Sequence, residues 1–118
     1  MKTSSDPRHK NRQQIVKQLF AQSFTKQPRN SETVKEIIKS QEKIDKWVKI
    51  IAPEFPLEKI NKIDLAILRL AIHEMTTLHN APKKVIIDEA IELAKEFGSD
   101  SSPSFINGAL GRLAKELN

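Results

Sequence analysis

Apolar residues recur along this chain every three or four positions, the spacing of helices with one buried face; sustained strand-like alternation is absent. Ile15, Val16, Leu19, Phe20 and Phe24 form a stripe that predicts a first helix from just after Pro7 to about Phe24. A polar connection at 25–30, containing Pro28, leads to Ser31, a good N-cap, with Glu32 favourably placed in the following turn. Val34, Ile37, Ile38, Ile44, Trp47, Val48 and Ile51 predict one long second helix, closed by Pro53 and Pro56.

After a short turn at 57–60, Asn61 reads as the cap of a third helix, with Asp64 at the third position bonding back to the Asn61 amide and remaining at the surface. That helix is apolar nearly all round from Leu65 to Ile72, which places it at the centre of the fold. Asn80 reads as a left-handed stop, and Pro82 as part of the first turn of a fourth helix. Val85, Ile86, Ala90, Leu93, Ala94 and Phe97 form its inward face, and Gly98 ends it. Ser102 and Pro103 open a fifth helix, which buries Ile106, Ala109, Leu110, Leu113 and Leu117. The expectation is an all-α, compact helical bundle with one domain over 1–118 and no internal repeat.

Composition narrows the function classes. The 118 residues are 38% hydrophobic and 30% charged, an ordinary balance for a folded domain. The absence of cysteine excludes disulfides, thiolate metal sites and a cysteine nucleophile, and suits a reducing cytoplasm. No apolar run approaches the ~18 residues of a membrane span. The net charge of +5 is unevenly distributed. Residues 1–30 hold seven basic side chains (Lys2, Arg8, Lys10, Arg12, Lys17, Lys26, Arg29) against the single acid Asp6, whereas the remainder is almost neutral. Arg8, Lys10, Arg12 and Lys17 are read as lying outside the apolar stripe and facing water. Such polarity fits a polyanion: RNA, DNA or anionic lipid.

Catalytic chemistry finds little material. His73 and His79, six apart on a helix, lie on different faces and make no natural metal pair; the serines fall in caps and loops away from any histidine in sequence. A binding protein without enzymatic activity, metal or cofactor is the expectation.

Three linked stretches carry a resemblance: IDLAILRLAIHEM at 63–75, APKKVIIDEAIELAKEFG at 81–98 and FINGAL at 105–110. In this order and spacing they resemble the NusB family of bacterial transcription antitermination factors. The resemblance implies two packed three-helix bundles, here with a shortened first bundle. It also implies binding of single-stranded boxA RNA together with the ribosomal protein NusE, within the RNA polymerase antitermination complex on ribosomal RNA operons.

The basic segment at 1–12 then becomes the RNA-binding end, with Lys2, Arg8, His9, Lys10 and Arg12, joined by Lys17, Phe20 and Phe105. For the two phenylalanines, helical spacing fits core packing as well as base stacking. Asp64 and Ser101 fall in the partner-facing region, where some relatives self-associate, so a homodimer is an alternative to NusE. Structural roles are expected for Arg69, paired inside the bundle with Glu74 or Glu89, and for Gly108, allowing close helix approach; Asn107 beside it could instead touch RNA.

The chain departs from the family pattern in its short 25–30 connection, its diluted Arg8-His9-Lys10-Asn11-Arg12 start, Asp88 in place of the usual asparagine, and Ser101 near an often acidic position. Two other classes compete: a helix-turn-helix DNA-binding protein, which needs a basic recognition helix that does not stand out here, and the NusB-like RNA-targeting domain of an rRNA methyltransferase. The latter would be a fragment, because the chain stops at Asn118 with no cofactor-binding α/β domain.

Overall fold

The computed structural model describes residues 6–118, and these form six α-helices and no strand. They are α1 (Pro7–Gln22), α2 (Glu32–Lys39), α3 (Gln41–Ile51), α4 (Lys62–His73), α5 (Lys83–Phe97) and α6 (Ser102–Glu116). Asp6 caps α1 by accepting the Arg8 backbone N–H at 2.9 Å, with Pro7 as the first helical residue, and Ser31 caps α2 by accepting from the Val34 N–H.

The one long second helix predicted from 32 to 51 is two helices, broken at Ser40, whose backbone leaves the helical range at φ −100° and ψ 11°. The hydrophobic pattern contains the reason. Beyond Ile38 the next three- and four-residue steps land on Gln41 and Glu42, and the stripe restarts only at Ile44.

As its composition required, α4 is the central helix: it packs against all five others, burying Leu65, Ala66, Ile67, Leu68, Leu70, Ala71 and Ile72. On one side α5 and α6 pack against it and against each other; on the other, α1, α2 and α3 cover it in chain order, and α3 reaches across to α6. Val16, Ile37, Ile51, Ile106, Leu110 and Leu113 complete the interior. No helix appears in the 25–30 connection, in line with the shortened first bundle.

At its C-terminal end α4 widens into a π-helical turn, Glu74–Leu78, and the left-handed residue that closes it is His79 (φ 48°), not Asn80. Histidine, like asparagine, is among the few side chains enriched in that conformation. His79 donates its N–H to the Glu74 carbonyl at 2.7 Å.

Three expectations are corrected. Arg69 pairs with neither Glu74 nor Glu89 but with Asp45 of α3, through two 2.9 Å hydrogen bonds. Asp64 is buried, its Oδ1 unpartnered, and caps nothing; the Asn61 side chain itself accepts from the Ile63 N–H at 2.9 Å. Gly108 is exposed, and a Cβ placed there would meet nothing within 4 Å, so it serves no close approach. The close approach belongs to Gly98, where a Cβ would collide with the Ser102 side chain and lie 2.8 Å from the Ala94 carbonyl.

Candidate nucleic-acid-binding face

The cations of α1 divide by their angle around the helix. Counting backwards from the core residue Leu19 by three, four and three residues passes through Val16, Arg12 and His9. Both polar residues therefore lie on the buried stripe, contrary to the expectation that Arg12 faces water. Arg12 donates from Nε and Nη2 to the two carboxylate oxygens of Glu74, at 2.9 and 2.7 Å, and stands 3.6 Å from Glu89. The hydrogen bonds to Glu74 outweigh desolvation and raise the guanidinium pKa further above its usual value. His9, 4% exposed, lies between Glu89 and Glu96. Burial pushes its pKa down, but the two carboxylates push it up by more, and the balance is a raised value.

The remaining cations of α1 point outward. Arg8, Lys10 and Lys17 are exposed, while Lys2 lies outside the described residues. Lys17 sits with Nζ 5.8 Å from the centroid of the Phe97 ring, and Lys62 at the start of α4 sits 5.6 Å from that of Phe24. Phe24, expected in the buried stripe, is 62% exposed and meets half-buried Phe20 edge-to-face at 4.9 Å. Lys17, Phe20, Asn61, Ile63 and Phe97 line a groove of about 440 Å³. Asn61 also borders a second groove of about 360 Å³, lined by Phe55, Lys59, Asp64, Ser101, Ser104 and Phe105. Here Phe55 and half-buried Phe105 make another edge-to-face pair, 5.5 Å apart.

The structure thus brings Lys17 and Phe20 to one groove and Phe105, Asp64 and exposed Ser101 to the next, while removing His9 and Arg12 from the exposed surface. Burial raises the Asp64 carboxyl pKa, with the Ser102 hydroxyl opposing the shift.

The sequence reading missed Phe24, Phe55, Phe97, Lys59 and Lys62 as members of this face. Phe55 carried a signal: an aromatic between Pro53 and Pro56 cannot join a helical stripe. Phe24 and Phe97 carried none, because each sits at a core-like spacing, Phe97 as the last residue of α5 and Phe24 two residues beyond the end of α1.

Chemically, the face offers cations beside aromatic rings. Among the described residues no cluster of His, Asp and Glu could hold a metal ion, and no helix is long and apolar enough to cross a membrane.

Comparison with known proteins gives a consistent result. The sequence model of the NusB family matches residues 2–115. A transcription antitermination protein NusB from Acetivibrio thermocellus is 46% identical over 84 residues, covering 71% of this chain and 58% of the relative. One from Alkaliphilus oremlandii is 38% identical over 108 residues, covering 90% and 78% respectively. A solved structure of T. maritima NusB superimposes with a TM-score of 0.84 at 30% identity, over 98% of this chain and 94% of that one. Such a match across sequence and fold means that the chain belongs to the NusB family.

Proposed function

We propose that this protein is a transcription antitermination factor that binds single-stranded, boxA-like RNA jointly with the ribosomal protein NusE, as part of the RNA polymerase antitermination complex. The observation that carries the reading is the pairing of cations with accessible rings: Lys17 over Phe97 and Lys62 over Phe24, with Phe20 between them. Single strands are held by phosphate-neutralising lysines and arginines alongside aromatic faces on which bases stack. Arg8 and Lys10 extend the positive surface toward the start of α1, and the Phe55–Phe105 pair extends the aromatic surface beyond Asn61.

Duplex DNA suits this face less well, because a helix-turn-helix protein presents a polar helix to the major groove, whereas the cations here flank half-buried rings. Ser101, exposed on the rim of the second groove, and the Asp64 carboxyl beneath it mark the side on which NusE docks, so that one RNA strand spans both proteins. A second copy of the chain would occupy the same side.

The test is RNA binding measured by fluorescence anisotropy over a salt titration, with and without NusE, using boxA and scrambled oligonucleotides. The expected result is a preference for boxA, strengthened by NusE and weakened by salt. Equal affinity for both sequences under every condition overturns the proposal.

A further inference from the structure

His9 is held in a way that a neutral imidazole cannot satisfy. Its Nδ1 lies 3.0 Å from Glu89 Oε1, and its Nε2 lies 2.9 and 3.0 Å from the two carboxylate oxygens of Glu96. A neutral ring carries one N–H, so one of these contacts would set a lone pair against a carboxylate; only the imidazolium donates to both.

The charged groups around it come from three elements. α5 contributes Glu89 and Glu96; α1 contributes Asp6, Arg8 and Arg12; and the π-helical turn after α4 contributes Glu74, which Arg12 occupies. Glu89 is additionally held by Arg12 at 3.6 Å and is nearly buried, while the Glu96 side chain is 35% exposed and takes a 3.2 Å hydrogen bond from Gln13.

We propose that His9 is a protonation-controlled latch: charged, it ties the first turn of α1 to the C-terminal end of α5, and on losing its proton it releases Glu96 while keeping Glu89.

Glu96 is the contact that opens, because water can solvate its carboxylate, whereas Glu89 remains fixed from its other side by Arg12. Release has two consequences. Arg8 and Lys10, the neighbours of His9, lose the anchor that presents them. Glu96 becomes an unneutralised carboxylate beside Phe97, the ring under Lys17, and weakens the positive potential there. The latch itself is independent of function; its consequence for RNA rests on the reading proposed above.

The sign follows from the geometry. A histidine stabilised in its charged form by the fold strengthens the α1–α5 contact below its free pKa of ~6.5, and the contribution disappears as pH rises through the elevated folded value.

The experiment is an NMR titration of the full chain from about pH 5 to about pH 9, following the histidine rings and the amide protection of α1, with His9→Gln identifying the His9 signals. Glu96→Gln provides the second variant, since a side-chain amide can donate to the neutral ring and keep the contact closed. The wild type is expected to show a His9 inflection above ~6.5, accompanied by about a tenfold fall in protection at the start of α1. Glu96→Gln is expected to show no such fall. Affinity for boxA RNA should drop about threefold across the same step in the wild type and not in Glu96→Gln. A His9 inflection at or below ~6.5, or α1 protection that ignores it, overturns the latch. RNA binding absent from every form at every pH overturns the functional reading instead, and the titration still decides the latch.

Discussion

Replacing Arg12 separates a structural cation from an RNA ligand more sharply than any other single change. Its side chain is 11% exposed and Glu74 is 3% exposed, with two charge-assisted hydrogen bonds between them. Arg12→Ala leaves Glu74 buried without its partner, and breaking a buried pair from one side costs about 3–5 kcal/mol. Arg12 also stands 3.6 Å from Glu89, which His9 continues to hold, so the substitution removes one of that carboxylate's cations as well, and the expected loss is about 4 kcal/mol. A chain of this length holds about 6–18 kcal/mol in total, so the variant is expected to melt roughly 10–20 °C lower. Replacing both partners by apolar residues of similar volume, Arg12→Met with Glu74→Leu, should recover most of that loss, because the desolvation of two charges is removed together. The assay is urea and thermal unfolding of both variants, with RNA binding measured at a temperature where each remains folded. A loss under ~1 kcal/mol in Arg12→Ala, combined with a collapse of RNA binding in the folded double variant, would show that Arg12 serves RNA and refute the reasoning.

The other predictions concern the face and its supports. On the proposed reading, Lys17→Ala should weaken RNA binding with little loss of stability, Phe97→Ala should weaken it and also cost stability because the ring packs partly on the core, and the double variant should lose less affinity than the sum if ammonium and ring act on one nucleotide; additive affinity losses in a double-mutant cycle would contradict this. Gly98→Ala should destabilise by about 1–3 kcal/mol, since the new methyl meets the Ser102 side chain and the Ala94 carbonyl, whereas Gly108→Ala, into open space on α6, should stabilise by about 0.5–1 kcal/mol in denaturant titrations. Asp64→Asn should raise stability at neutral pH by about 1 kcal/mol. Burial holds the Asp64 carboxyl pKa above its unfolded value, so its contribution is complete at low pH and lost as pH rises through the folded pKa. The two proteins should therefore converge in stability on acidification.

What could be read from sequence depended on whether a feature was local. The central place of α4 followed from its lack of a polar face between Leu65 and Ile72, because a helix apolar all round must be enclosed. The break at Ser40 was also present in the spacing, as the gap between Ile38 and Ile44. Partners were not legible. Arg69 sits only five residues from Glu74 along the chain, yet its fork meets Asp45 of another helix, where the packing of α3 on α4 places a carboxylate. The aromatic face was half legible: Phe20 and Phe105 were named, but Phe55 and Phe97 join them only because a proline turn and a helix end meet at the grooves that Asn61 borders, and Phe24 only through its contacts with Phe20 and Lys62.

Counting basic residues overstates the charge that this chain can offer to RNA. Residues 1–30 contain seven Lys and Arg, which would suggest a salt-dependence slope of about −5 if each met a phosphate of a single strand. The angle around α1 removes one of the seven. Arg12 falls on the same stripe as Val16 and Leu19, so it enters the interior, where an unpaired charge is too costly and carboxylates neutralise it. Of the other six, Lys2 lies outside the described residues, and Lys26 and Arg29 are exposed in the 25–30 connection but line neither groove; Arg8, Lys10 and Lys17 remain from α1, and Lys62 joins them from the start of α4. Four phosphate contacts predict a slope of about −3. Lys62→Ala should reduce that slope by ~0.7 even though the residue lies far from the basic segment, while Arg12→Met with Glu74→Leu should leave it unchanged. A slope near −5 in the wild type, or one insensitive to Lys62, would mean that RNA draws on cations other than these four.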